Sequence, residues 1–210
     1  ILETANRYLN KKVGRKDVLS IFAGLRPLAA PKDDSEKTKE ISRSHKIIIS
    51  DSELLTITGG KWTTYRRMAQ DTINKAIAIG KLPNKQCKTK NMSIHGCAKN
   101  IDKNNHLYIY GTDKKDIEQL IKNEPELGEK LHPESNFTKA EVVWAIRHEM
   151  ARTIEDVLAR RVRMLFLDAR TAIASAPIVA ELLAKELGKD KTWVRQEIDN
   201  FTKIAKQYVL

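Results

Sequence analysis

The spacing of apolar positions changes along the chain. In the first half they come in short runs over residues 18–22, 46–50 and 54–58, each of the length of a buried strand. The second and third runs are separated by the turn-like Asp51-Ser52-Glu53, which predicts a hairpin. Residues 2–9 carry a short helical pattern, followed by a basic turn over 10–16. Gly59-Gly60 interrupts the third apolar run, and helical spacing takes over from Trp62 to about residue 79. Residues 30–40, rich in Pro, Asp, Ser and Lys, read as an exposed loop, and the polar stretch 80–105 as a linker.

The second half reads as helical throughout. Thr138 and Glu141 have capping-box spacing, each side chain able to satisfy a backbone N–H at the other end of the turn. Phe137 and Val142 flank them as a hydrophobic staple. Val143, Ile146, Met150, Ile154 and Val157 then recur at helical spacing, predicting one continuous buried face. Residues 172–187, rich in Ala and Leu, stop at Gly188, a natural left-handed C′ position. Residues 193–208 form the last predicted helix. The expected fold class is α+β, mostly helical: a small antiparallel sheet region over 1–98, then an all-α carboxy-terminal domain over 99–210.

Composition narrows the classes. The chain has 210 residues, 41% hydrophobic and 31% charged, the balance of a folded domain rather than a disordered one. No apolar run approaches the roughly 20 residues that cross a bilayer, so membrane contact is expected to be peripheral. Cys87 and Cys97 lie in a polar stretch without the spacing of a zinc site or disulfide framework, which favours free thiols in a reducing compartment. No signal peptide is visible, and a start at Ile1 suggests a fragment. The net charge of +11 is uneven: residues 1–100 hold 20 Lys and Arg against 9 Asp and Glu, whereas residues 101–210 hold 18 of each. The basic half would attract anions, whether a phosphorylated metabolite, a nucleotide cofactor, acidic lipid or nucleic acid.

The most informative stretch is Gly59-Gly60-Lys61-Trp62-Thr63-Thr64-Tyr65-Arg66, where an apolar strand meets paired glycines and a helix begins at once. Glycine allows positive φ and lets a ligand approach without a Cβ in the way. The helix start adds uncapped N–H groups and about half a positive charge, and Lys61 adds a full one. Such a junction suits phosphate or an electron-rich ring. It is neither a P-loop nor the Gly-x-Gly-x-x-Gly fingerprint. On spacing alone an ordinary strand-to-helix turn with a surface lysine explains it as well.

These residues, continuing through Arg67-Met68-Ala69, resemble the GGKxTTYRxxAE signature of FAD-dependent glycerol-3-phosphate dehydrogenases and oxidases, departing only at Gln70. Upstream, Phe22-Ala23-Gly24-Leu25-Arg26-Pro27-Leu28 resembles the SGxRPL segment, and Ile41-Ser42-Arg43-Ser44-His45 the S-R-D-H stretch with Ser44 for the usual aspartate. Downstream, Arg147-His148-Glu149-Met150-Ala151-Arg152 and Asp156-Val157-Leu158-Ala159-Arg160-Arg161 resemble the family's helical domain.

The resemblance implies oxidation of sn-glycerol 3-phosphate to dihydroxyacetone phosphate, with FAD taking the hydride and quinone the electrons; an oxygen-dependent glycerophosphate oxidase stays open. It assigns Lys61 as catalytic, Arg26 and Arg43 to the substrate phosphate, and Gly59, Gly60, Lys61, Trp62, Thr63 and Thr64 to a flavin-contacting helix start. No metal and no nucleic acid are expected. The intact enzyme would lie peripherally on the cytoplasmic face of the cell membrane, with a homodimer left open. The chain alone is expected neither to retain FAD nor to be active. A non-catalytic helical or lipid-docking module over 101–210 is the alternative.

Rival readings attach to single residues. His45 could be a base, although a lone strand-adjacent histidine is commonly structural. His148-Glu149 invites a zinc motif, but Arg152 holds the second histidine's position. Arg147, Arg152, Arg160, Arg161 and Arg163 could face nucleic acid, but Glu149, Glu155, Asp156 and Asp168 nearby favour ion pairs. Trp62 and Trp144 are expected to pack.

Overall fold

The structure, a computed structural model, describes residues 1–25 and 44–210. The chain divides into two compact units, one of Gly24–Ile94 and one of Ile1–Ala23 with His95–Leu210. The boundary expected from the sequence is at 98. Residues 1–23, however, belong with the helical unit and not with the rest of the first half.

In the smaller unit β1 (His45–Ile49) and β2 (Leu55–Gly59) form the expected antiparallel hairpin, with Ile47 opposite Ile57 and His45 opposite Gly59. The connection closes through Ser50: its N–H donates to the Leu54 carbonyl, and its carbonyl accepts from the Glu53 N–H. Glu53 takes the left-handed conformation (φ 62°), as a three-residue hairpin loop requires of its last residue. A 3-10 turn, Trp62–Thr64, then leads into a long helix, Tyr65–Ile79. No described residue of this unit is buried. One hairpin and one helix lack the layers needed to close a core.

The larger unit opens with α1 (Leu2–Ala5); counting onward, α2 is the Tyr65–Ile79 helix of the smaller unit. It continues with α3 (Lys114–Asn123), α4 (Lys139–His148), a π-helical stretch over Asp156–Arg161, α5 (Met164–Leu167), α6 (Ala169–Leu187) and α7 (Lys191–Ala205). The main core lies among α4, the π stretch, α6 and α7, with Ile154, Leu158, Leu165, Val179, Leu183 and Phe201 almost inaccessible. A smaller cluster joins Leu107, Ile117, Leu127, Val143 and Trp144. The expected capping box starts α4, with the Thr138 N–H donating to Glu141 Oε2 at 2.8 Å. Gly188 ends α6 at φ 63°.

Two elements differ from expectation. Residues 18–22 form no strand, because they find helix ends instead of a neighbouring strand. The Ile21 N–H donates to the Tyr208 carbonyl, the Ala169 N–H to the Leu19 carbonyl, and the Ser20 hydroxyl to the Leu165 carbonyl. The helix begun at Thr138 also stops at His148 and does not run through Met150. Met150 is left-handed (φ 59°) and 77% exposed, and the Ala151 N–H closes back onto the Ala145 carbonyl. A second cap then restarts the chain. Asp156 accepts from the Arg152 and Thr153 N–H groups, while Thr153 Oγ1 accepts from the Asp156 N–H. The apolar spacing carried across this break hid the Thr153-x-x-Asp156 signal beneath it.

Candidate functional site

The strand-to-helix junction is built by backbone conformation. Gly59 and Gly60 have φ of 74° and 80°, a region that strains other residues. A Cβ on Gly60 would fall 2.6 Å from the Met68 sulfur and 3.2 Å from His45 Cβ, so a bare backbone is what fits between α2 and β1. Lys61 is extended, and the 3-10 turn follows directly. Neither Lys61 nor Thr64, at the two N-cap positions, lends a side chain to the helix start. The Thr64 hydroxyl donates backward to the Lys61 carbonyl at 2.9 Å. The opening turn therefore offers its positive end without a side-chain cap.

A groove of about 730 Å³ opens at this turn, lined by Gly59, Gly60, Lys61, Trp62, Thr63, Tyr65 and Met68. Trp62 does not pack into a core as expected. It is 86% exposed and stacks on Tyr65, with ring centroids 5.5 Å apart and planes 24° apart. A smaller groove of about 420 Å³ is lined by Ser44, His45, Lys61, Thr64 and Arg67, so Lys61 borders both. Of the residues singled out from the sequence, Gly59, Gly60, Lys61, Trp62 and Thr63 share the larger groove, and Thr64 faces the smaller one. Arg26 and Arg43 lie outside the described residues.

The surroundings hold groups whose roles were not legible in the motif. His45 Nε2 lies 3.2 Å from Asp71 Oδ2, and Arg67 Nε lies 3.1 Å from Asp71 Oδ1. Gln70, the departure from the signature, accepts from Arg66 Nη1 at 2.8 Å. The same guanidinium donates to the Thr89 hydroxyl at 3.2 Å and faces the Cys87 sulfur at 3.9 Å. Hydrogen bonds from Thr89, with the Arg66 charge, hold the Cys87 thiol below its ordinary pKa. Cys87 and Cys97 are both free thiols.

In the helical unit three of the five arginines singled out meet acids, while Arg152 donates to the Ile146 and Ala151 carbonyls instead. Arg147 makes a bidentate pair with Glu186 at 2.7 Å on both arms, Arg160 bridges Glu155 and Asp156, and Arg161 meets Glu149. Asp168 is not among these partners: it caps α6, accepting from the Arg170 and Thr171 N–H groups. His148 stacks on Trp144 at 4.0 Å. Glu141 is fully buried and gathers the Thr138 N–H, the Tyr110 hydroxyl and His106 Nε2. Burial, followed by the Glu141 charge, drives the Tyr110 phenol far above its ordinary pKa. The capping-box spacing disclosed the first of these partners; the others come from sequence separations of 31 and 35 residues.

A mostly helical unit, a small antiparallel hairpin and a glycine-paired strand–helix junction are what the fold presents, and comparison with known proteins gives the family. The chain belongs to the family described as the C-terminal domain of alpha-glycerophosphate oxidase, whose profile matches residues 50–194. Among individual proteins, it is 35% identical to the mitochondrial glycerol-3-phosphate dehydrogenase of Arabidopsis thaliana, over 100% of this chain and 37% of that protein. The probable mitochondrial glycerol-3-phosphate dehydrogenase of Caenorhabditis elegans is 35% identical over 95% of this chain and 30% of its own length. The Homo sapiens mitochondrial enzyme is 34% identical over 97% and 31%. The chain thus spans about a third of the length of these relatives.

Proposed function

We propose that this chain is the carboxy-terminal part of a flavoenzyme that oxidises sn-glycerol 3-phosphate to dihydroxyacetone phosphate. The observation that carries the reading is the open junction: paired glycines at positive φ, an uncapped helix start and Lys61, all on one groove. A second observation supports it. The smaller unit buries none of its described residues, as expected of half a domain whose other layers come from elsewhere in a protein about three times as long.

The residues present fit FAD. The larger groove offers bare backbone, an aromatic wall of Trp62 and Tyr65, and N–H groups at a positive helix end. When bound, FAD supplies the acceptor for the hydride. Gly59 and Gly60 would let its ring approach. The N–H groups of Trp62 and Thr63 would stabilise negative charge on it, and Thr64 keeps the turn closed through the Lys61 carbonyl. The Lys61 ammonium stabilises negative charge gathering on the substrate oxygen. Arg26 and Arg43 hold the phosphate by bidentate hydrogen bonds.

Quinone takes the electrons, a reading favoured by relatives named dehydrogenases. A peripheral seat on the cytoplasmic face of the cell membrane belongs to the same reading; among the described residues no helix is long and apolar enough to cross a membrane. The isolated chain is colourless and inactive. Steady-state kinetics of the flavin-loaded enzyme test the assignment. Arg26→Ala and Arg43→Ala raise KM for glycerol 3-phosphate with little change for glycerol, while Lys61→Ala chiefly lowers kcat. Unchanged constants in all three variants would refute it.

A further inference from the structure

Arg26, to which the proposed function gives the substrate phosphate, follows closely on a segment that the helical unit grips residue by residue. Each of residues 18–22 has a partner there. The Arg170 guanidinium donates to the Val18 carbonyl at 3.0 Å, and the Ala169 N–H to the Leu19 carbonyl at 3.1 Å. The Ser20 hydroxyl donates to the Leu165 carbonyl at 2.8 Å, and the Ile21 N–H to the Tyr208 carbonyl at 2.8 Å. The Phe22 ring meets Phe166 edge to face with centroids 5.0 Å apart, and Phe166 meets Tyr208 in the same way at 5.7 Å. Resting on the proposed function, we infer that the start of α6 positions Arg26, with Arg170 and Ser20 as positioning residues in recognition of the substrate phosphate.

The grip follows from what a helix start requires. The first N–H groups of a helix have no partner within it. At α6 the Asp168 carboxylate takes those of Arg170 and Thr171, and the Leu19 carbonyl takes that of Ala169. The incoming chain thereby completes the cap, which fixes its place against the helix. Attachments on five consecutive residues oppose sliding as well as rotation. Arg26 is the fourth residue after Phe22, and four residues of chain reach no more than roughly 14 Å. A bidentate hold on phosphate depends on placement, and an error of about 1 Å is costly.

The competing role for these bonds is packing alone, which stabilises the helical unit and leaves the substrate unaffected. Arg170 suits the test. Its side chain is exposed, and the cap of α6 uses its backbone N–H rather than its guanidinium.

The full-length, flavin-loaded enzyme separates the two roles. Arg26→Ala is the control: if it leaves KM for glycerol 3-phosphate unchanged, the phosphate assignment of the proposed function fails and this inference falls with it. With that control positive, Arg170→Ala raises the same KM about fivefold and Ser20→Ala about threefold, with kcat changed by less than about twofold. For glycerol, which lacks the phosphate, kcat/KM is unmoved. Titration calorimetry with dihydroxyacetone phosphate shows the same weakening without turnover. Arg170→Lys, still able to donate to the Val18 carbonyl, restores most of the affinity. In the Arg26→Ala background Arg170→Ala adds less than about twofold, as expected where one residue acts through the other. Should Arg170→Ala not fold, Ser20→Ala carries the same comparison. Unchanged KM and unchanged dihydroxyacetone phosphate affinity, an equal loss for glycerol, or the full effect persisting without Arg26 would each overturn the inference. A lowered urea midpoint with KM unmoved would assign the bonds to packing.

Discussion

Replacing Glu141 with alanine would strike the most heavily bonded side chain in the helical unit. The carboxylate is inaccessible, accepts from the Thr138 N–H at 2.8 Å and the Tyr110 hydroxyl at 3.1 Å, and lies 3.0 Å from His106 Nε2. Alanine keeps the helix but strands these donors. Each buried donor left unpaired costs about 1–3 kcal/mol, and water can reach part-exposed His106 more easily than the other two. Loss of the cap adds about 1 kcal/mol, overlapping the cost at Thr138. Taken together the loss is about 3–5 kcal/mol, the range for breaking a buried charged network. Glutamine should recover part of it, since its carbonyl can still accept from Tyr110. Urea unfolding followed by tryptophan fluorescence should show the midpoint fall by about 2 M for a slope of roughly 2 kcal/mol/M. A loss below about 1 kcal/mol for Glu141→Ala would refute the claim that this carboxylate organises the start of α4.

Gly111 has φ 55° and ψ −117°, and a Cβ there would meet the Gly96 carbonyl oxygen at 1.7 Å. Gly111→Ala should therefore cost several kcal/mol, of order 3 or more, or abolish folding in the same urea assay. Acid sensitivity follows from carboxylates with lowered pKa. The bond from Arg147 holds Glu186 below its ordinary value; burial would raise Asp156, but the Arg152 and Thr153 donors outweigh it. For such groups the stabilisation is complete above the unfolded-state value and is lost as pH falls through the folded one. Unfolding midpoints should thus drop below about pH 4, and Glu186→Gln should flatten part of that slope while costing about 1 kcal/mol at pH 7. Glu149 runs the other way. Burial raises its pKa, so its contribution is complete below the ordinary carboxylate value and is lost as pH climbs from there through the raised folded one, and Glu149→Gln should remove that component.

The hairpin, the Gly-Gly break, the α4 cap and the Gly188 stop were legible because each rests on local chemistry within about five residues. The same locality set the limits. Apolar spacing ran smoothly over Met150, where a left-handed residue ends one helix and Thr153 starts another, because periodicity alone does not register a reversal of φ. Residues 18–22 read as a strand by composition, but a strand needs a neighbour, and these found the ends of α5, α6 and the carboxy-terminal turn. At the site, the motif placed the glycines, Lys61 and the helix start on one groove. It could not disclose the Asp71 partner of His45, which depends on the hairpin register returning His45 to the mouth of α2. Nor could it disclose that Trp62 stands outside any core.

In the proposed function the helix start and Lys61 together present positive charge to a flavin ring. Its most direct test is the two-electron reduction potential of the flavin in the holoenzyme, wild type against Lys61→Met. Loss of the neighbouring charge should make the potential more negative by about 30 mV or more, equivalent to roughly 1.4 kcal/mol against the anionic reduced ring. A potential unmoved by the substitution, in protein that keeps its full flavin content, would leave Lys61 no electrostatic role at the ring.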